Sequence, residues 1–150
     1  MNIANVQATI DVLKIAQNFY VGDFQIKKDE KDGKYATTVE ELHRCGNSAC
    51  IAGYVAVDPA FRAWGGACNS FGMPFIPNST IAGYDLPEEA MMRYWGMEGR
   101  YVSAIIYGED WGGFVAEYDL EGMPRDWYDM TKEQAVSLFE QLLKQHEAQK

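Results

Sequence analysis

Residues 49–57 (ACIAGYVAV) constrain the fold more than any other part of this 150-residue chain, because they contain almost no polar residue. A helix that is apolar on every face is normally buried, since no side of it gains from contact with water. Asn47 or Ser48 can cap such a helix, and Ala52 and Gly53 would let another backbone approach it closely. The stretch therefore predicts a buried central helix against which the other elements pack.

Local signals predict further helices around this one. Apolar residues at spacings of three and four indicate an amphipathic helix over residues 5–20. Helix starts are indicated by four pairs: Thr38 with Glu41, Asp58 with Pro59, Asp85 with Glu88, and Thr131 with Gln134. A further helix over residues 98–107 is expected to end at Gly108. The chain is thus expected to form one domain, residues 1–150, mainly α, with about five to six helices.

Two segments fall outside this helical pattern. Residues 65–84 are rich in Gly, Pro and small polar residues and predict a long, irregular central loop, which is either a binding element or part of the core. Residues 27–34 (KKDEKDGK) are polar, with Asp32-Gly33 as a turn signal. They indicate either an exposed loop or the tip of a small β-hairpin near residues 20–37, and the hairpin would make the fold α+β.

The negative charge is concentrated in the second part of the chain. The whole sequence has 13 Lys and Arg against 22 Asp and Glu, a formal net charge of −9. Residues 1–84 carry 8 acids and 7 bases (net −1), which leaves 14 acids and 6 bases (net −8) in residues 85–150. The overall charge disfavours direct binding to nucleic-acid phosphates or to anionic membranes, because like charges repel.

The acids are densest between residues 109 and 129, where aromatic residues lie among them. One interpretation is a solvated surface that keeps the protein soluble. The other is an acidic and aromatic face that binds a basic protein surface, with Trp as an anchor. The candidate partner-binding residues are Glu109, Asp110, Trp111, Glu117, Asp119, Glu121, Asp126, Trp127 and Asp129. The aromatic residues are equally suited to the core.

The three cysteines cannot form a fully paired disulfide framework. The first 20 residues lack the basic start and apolar run of a secretion signal, and no window approaches the roughly 18 apolar residues of a membrane span. These features predict a protein of the cytoplasm, with thiols that are free or bound to a metal.

The most distinctive motif is Cys45-Gly46-Asn47-Ser48-Ala49-Cys50-Ile51-Ala52-Gly53-Tyr54. This pattern, C-G-x-x-x-C-I-A-G followed by an aromatic residue, resembles that of a group of small, mostly uncharacterised proteins of bacteria and their phages. In that group, which often has Thr in place of Asn47, the motif follows an N-terminal helix and precedes a helical C-terminal half. The resemblance implies a phage or prophage setting, and it supplies neither an activity nor catalytic residues.

The chemistry of this motif allows several interpretations. The cysteines can pack as small apolar side chains. Alternatively His43, Cys45, Cys50 and Cys68 could bind zinc, although the usual paired C-x₂₋₄-C spacing is absent. Cys50, near a helix start, could instead be a nucleophile, although its neighbours are apolar and bases are scarce. A Cys45–Cys50 redox pair is the remaining alternative.

Three functions follow from these observations. The favoured one is a non-enzymatic phage accessory protein without a cofactor, which binds a basic host protein and inhibits a defence or nucleic-acid-handling factor. The alternatives are a small thiol- or zinc-dependent enzyme centred on His43, Cys45 and Cys50, and a structural or self-associating domain in which the motif serves packing. No P-loop, dinucleotide-binding, metalloprotease or EF-hand motif is present.

Overall fold

The computed structural model describes residues 1–26, 35–44, 48–77 and 86–149. Within these ranges the chain is mainly helical, as predicted, and its buried apolar residues form one core. The α-helices are α1 (Ile3–Ile15), α2 (Val39–Arg44), α3 (Ile51–Val57), α4 (Pro59–Trp64), α5 (Leu86–Trp95), α6 (Gly99–Tyr107), α7 (Trp111–Glu117) and α8 (Lys132–Ala148), with a 3₁₀ helix at Trp127–Asp129.

The apolar stretch forms the buried central helix as expected, but the helix begins two residues later than predicted. Cys50, rather than Asn47 or Ser48, is its N-cap, because Ser48 and Ala49 form a short strand. Every residue of α3 is buried, and the helix contacts α1, α4 and a small β-hairpin formed by residues 67–68 and 74–75. α1 also packs against α8, and α5 contacts α1. The Trp95 ring lies 5.1 Å from that of Phe139, and its indole Nε1 donates to the Thr9 hydroxyl at 2.9 Å. These contacts connect α1, α5 and α8 into one unit.

Local capping signals predicted most helix starts correctly. Asp58 accepts a hydrogen bond from the Ala60 N–H, and Thr131 and Gln134 form both bonds of a capping box. Thr38 accepts from the Glu41 N–H, whereas the Glu41 carboxylate accepts from the main chain and hydroxyl of Thr37. Asp85 lies outside the described residues.

The first helix is shorter than predicted because the residues after it bind elsewhere. α1 ends at Ile15, and the Ala16 backbone is extended. The Asn18 carbonyl accepts from the Ala49 N–H, and the Tyr20 N–H donates to the Ala49 carbonyl. Contacts with a distant segment therefore replace the last turn of the expected helix.

The β-structure is small and consists of two antiparallel pairs. β1 (Gln25–Ile26) pairs with β2 (Ser48–Ala49), a strand that lies outside the expected hairpin of residues 20–37. The expected hairpin tip, residues 27–34, lies outside the described residues. The Gln25 side chain forms two 3.0 Å hydrogen bonds with the Ala36 main chain, so a side-chain amide provides a contact that a hairpin strand would make.

Part of the predicted central loop has regular structure. β3 (Ala67–Cys68) pairs with β4 (Pro74–Phe75), and the Asn69 carboxamide accepts hydrogen bonds from the Phe71 and Met73 N–H groups. The side chain of Asn69 organises a turn that composition alone indicated as irregular. Residues 78–85 lie outside the described residues.

Candidate partner-binding site

Two buried tryptophans hold the acidic segment, residues 109–129, against the core. The Trp111 indole donates to the Pro124 carbonyl at 2.9 Å, and the Trp127 indole donates to the Ile105 carbonyl at 3.0 Å. At the end of α6, Gly108 has φ +74°, and a Cβ there would lie 2.8 Å from the Trp127 ring. Gly108 therefore provides both the left-handed turn and the room for this ring.

All seven acids of the segment lie on the surface. They are Glu109, Asp110, Glu117, Asp119, Glu121, Asp126 and Asp129. Four large apolar residues between them are buried: Phe114, Leu120 and the two tryptophans. Because the apolar side chains occupy the core side, the acids face water, and the segment is amphipathic without being one continuous helix.

Of the two interpretations of Trp111 and Trp127, interface anchors or core residues, the structure favours the core. Their side chains are only 5% and 6% exposed, and both indole N–H groups are already satisfied by main-chain carbonyls. The aromatic residue that reaches solvent is Tyr128, which is 65% exposed. Tyr128 is visible in the sequence among the acids, but the sequence pattern does not reveal which of these aromatic side chains are buried in the core and which are exposed.

Most of these acids have no counter-ion among the bases that the structure describes. Glu117 alone among the seven forms an ion pair within the described residues, with Arg100 at 3.4 Å, and it also accepts from the Tyr101 hydroxyl at 2.7 Å. This hydrogen bond is the main reason that the pKa of Tyr101 is raised. The other six carboxylates are exposed and unpaired by described bases, so their charge is available to an external cation.

Sequence reasoning missed α7, which carries part of this surface. Its apolar residues Trp111, Phe114 and Tyr118 at the helix boundary follow the three- and four-residue spacing of a helix. The pair Gly112-Gly113 obscured that signal, because glycine lowers helix propensity. Asp110 and Asp119, at either end, have φ +48° and +47°, a conformation that Asp tolerates better than most residues.

The described cysteines are buried or partly buried free thiols. Cys50 caps α3 without a side-chain capping bond, and burial raises its pKa to about 11 although main-chain N–H groups of Gly53 and Ala52 oppose the shift. Burial likewise raises the pKa of Cys68, in β3, to about 11. Protonated thiols are poor nucleophiles, so this environment does not favour the enzyme hypothesis for these two residues.

Of the two remaining metal candidates, His43 and Cys45, the structure describes only His43. His43 lies on α2, where its ring is tilted against that of Tyr54 at 6.2 Å, and Cys45 is outside the described residues. Within the part of the chain that the structure describes, no group of three or more His, Cys, Asp or Glu side chains is placed to hold a metal ion.

The described part of the cysteine motif makes specific packing contacts. The Tyr54 hydroxyl donates to the Asn18 carbonyl at 2.8 Å and accepts from the Asn18 N–H at 3.3 Å. The Cys50 N–H donates to the Asp23 carbonyl, and Gly53 lies directly against the Phe24 carbonyl. These residues join the central helix to the segment after α1, which is the role that the packing interpretation assigns to them.

The geometry defines a helical domain with a mostly unpaired acidic surface on one stretch of chain. No protein-family model, curated protein or solved structure matches this chain. None of the described helices combines the length and apolar character needed to cross a lipid bilayer.

Proposed function

We propose that this protein is a non-enzymatic binding protein whose acidic segment, residues 109–129, engages a basic surface of another protein. The observation that carries the proposal is the set of six exposed carboxylates without an ion pair among the described residues. Clustered charge of one sign accelerates association with an oppositely charged partner and disfavours other partners.

The anchoring of the segment supports this proposal. Two buried indoles, Trp111 and Trp127, hold its main chain, so the carboxylates are carried on a surface that is ordered before a partner arrives. A preordered surface loses less conformational entropy on binding than a loop that must fold. The partner class that fits is a protein with a basic groove, such as a nucleic-acid-handling or defence factor.

The resemblance of the cysteine motif to that of small bacterial and phage proteins supports a phage or prophage setting as part of this proposal. The partner would then be a host protein, and the complex would form in the cytoplasm of the host cell. Occupying a basic groove would compete with nucleic acid for the same charges, which would inhibit the host factor.

A capture experiment at matched charge tests the proposal. One variant carries Glu109→Gln, Asp110→Asn, Asp119→Asn and Glu121→Gln. The control carries four exposed acids changed elsewhere: Glu40→Gln, Glu133→Gln, Glu140→Gln and Glu147→Gln. Both variants change the net charge by +4, from −9 to −5. Each tagged protein is incubated with bacterial lysate at low and at high salt, and the captured proteins are identified.

The expected result is a basic protein that the wild type and the control capture at low salt and the first variant does not. The wild type and the control should lose this captured protein at high salt, because salt screens the attraction between surface charges. If the first variant captures the same proteins as the control, the surface that carries Glu109, Asp110, Asp119 and Glu121 does not bind the partner, and the proposal that the acidic segment as a whole binds it is wrong.

A further inference from the structure

A surface groove lies beside the acidic segment, between the end of α6 and the 3₁₀ helix. It has a volume of about 400 Å³, with Tyr107 and Gly108 on one side and the 3₁₀ residues 127–129 on the other. A second pocket of about 150 Å³ shares Tyr107, Trp127 and Tyr128 and continues to Cys50 and Phe24. The groove thus combines aromatic side chains with carboxylates, and it adjoins a second pocket whose lining includes the apolar residues Phe24 and Cys50.

Tyr128 and Asp126, two of the side chains that line the groove, make contacts that orient them. Tyr128 is exposed, yet its ring packs edge-on against Trp127, with 5.2 Å between ring centroids and an interplanar angle of 76°. The Asp126 carboxylate accepts a 3.0 Å hydrogen bond from the Tyr128 N–H, which ties the acid to the ring's own backbone. Asp129, at the other end of the 3₁₀ helix, is exposed and has no ion pair among the described residues.

An aromatic face next to carboxylates suits a guanidinium group. Its plane stacks on a ring while its N–H groups donate to carboxylate oxygens, whereas the Lys ammonium is a strongly hydrated point charge. The same molecule contains one such arrangement on α6. The Arg100 guanidinium lies 4.4 Å from the centroid of the Tyr101 ring and contacts the carboxylates of Glu98 and Glu117.

Resting on the proposed function, we propose that this groove binds an arginine side chain of the protein partner, with its guanidinium between the Tyr128 ring and the carboxylates of Asp126 and Asp129. Arg125 also lines the groove and pairs with none of its carboxylates among the described residues. It is a like charge that lowers the affinity for the incoming arginine. The second pocket, which continues to Cys50 and Phe24, would accept a neighbouring side chain of the partner.

A peptide titration tests the groove without a host partner. The probe is acetyl-Gly-Arg-Gly-amide, and the matched peptides contain citrulline, which has the shape of arginine without its charge, or lysine. Binding is followed by ¹H–¹⁵N NMR at the amides of Gly108, Tyr128 and Asp129 and at the Trp127 indole. We expect saturable shifts at these positions with a dissociation constant in roughly the millimolar range for the arginine peptide. Lysine should bind more weakly and citrulline should not bind.

Surface variants locate the site. Asp129→Asn and Tyr128→Ala should each weaken the arginine peptide about tenfold. Tyr128→Phe, which keeps the ring, should bind like the wild type, and Asp119→Asn, an acid outside the groove, should have no effect. Removing the like charge by Arg125→Gln should tighten binding by about threefold. Equal shifts with the citrulline peptide, shifts confined to another surface, or full binding by Tyr128→Ala would each overturn the proposal.

The two proposals can fail separately. The four-acid variant used for lysate capture leaves every groove residue intact, so it should still bind the arginine peptide while losing the host protein. If the captured host protein depends on those four acids but is retained by Tyr128→Ala, the acidic segment binds the partner and the arginine groove is refuted. If the arginine peptide binds the groove but capture is insensitive to the four acids, the groove stands and the wider acidic surface is refuted.

Discussion

Replacing Gly53 with alanine tests the packing of the central helix most directly. Gly53 lies on α3, and an ideal Cβ at this position would be 1.6 Å from the Phe24 carbonyl oxygen and 2.7 Å from its carbon. Ordinary contact begins at about 3.4 Å, so the two segments would have to separate by 1.8 Å (3.4 − 1.6). Both sides of the contact are main chain, and neither can relieve it by rotating a side chain.

The expected cost follows from these distances. Overpacking of a core typically costs about 1–3 kcal/mol, and a main-chain clash belongs at the upper end of that range. Alanine gains about 0.5–1 kcal/mol over glycine in a helix, which offsets only a small part. Gly53→Ala should therefore lower the free energy of unfolding by about 2 kcal/mol or more, and Tm by roughly 4–8 °C for a chain of this size.

Gly112 provides the matched control, because it is also a helical glycine and nothing lies within 4 Å of its added Cβ. Gly112→Ala should raise the free energy of unfolding by about 0.5 kcal/mol. Thermal unfolding followed by circular dichroism, with urea unfolding at 25 °C, would measure both variants beside the wild type. A Gly53→Ala protein as stable as the wild type, or one destabilised no more than Gly112→Ala, would refute the assigned contact between α3 and the Phe24 carbonyl.

Three other outcomes are expected. Burial raises the pKa of Asp58, so the folded protein is more stable when this carboxyl is protonated, and the extra stability is lost as the pH rises through the folded-state pKa. Asp58→Asn keeps the helix cap without the charge, so its Tm should exceed that of the wild type at pH 7. The difference in Tm should shrink as the pH falls toward about 4. A Tm difference that is independent of pH would contradict this assignment. In a Cys45→Ser background at pH 8, iodoacetamide should alkylate Cys50 much more slowly in the folded protein than in urea, and Cys68 more slowly than a free thiol. The reason is that burial raises the pKa of both thiols to about 11. Alkylation rates in the folded protein equal to those in urea would instead favour the enzyme hypothesis. Trp127→Phe should lower the free energy of unfolding by about 2 kcal/mol, because it leaves the Ile105 carbonyl of α6 without its indole donor. An unchanged Tm in the same melting assay would show that this hydrogen bond does not stabilise the protein.

Much of the helical framework could be predicted from the sequence because the signals are local. A cap such as Thr131 with Gln134 is formed by residues three positions apart, and its two hydrogen bonds are available to any chain with that spacing. The same holds for Asp58 before Pro59 and for Gly108 after α6. The uniformly apolar stretch that forms α3 is buried for an equally general reason, since no face of it is suited to water.

The site could be predicted only in part. The sequence located its acids, and because charged side chains are rarely buried without partners, their exposure was a sound expectation. It did not reveal that Trp111 and Trp127 point inward while Tyr128 points outward. That choice depends on which carbonyls lie within reach of each indole, and the Ile105 carbonyl is 22 residues from Trp127.

The sequence by itself determined the mainly helical class, most helix starts and the concentration of charge after residue 84, because each depends on composition or on neighbours within about four residues. Only the tertiary structure decided that β1 pairs with Ser48–Ala49, that α1 stops at Ile15, and that Tyr128 rather than Trp111 or Trp127 reaches solvent. Each of those outcomes is a competition between contacts far apart in the chain. The arrangement of lower free energy is the one that buries more apolar surface while satisfying its polar groups. That comparison depends on contacts that exist only when distant segments of the chain pack together.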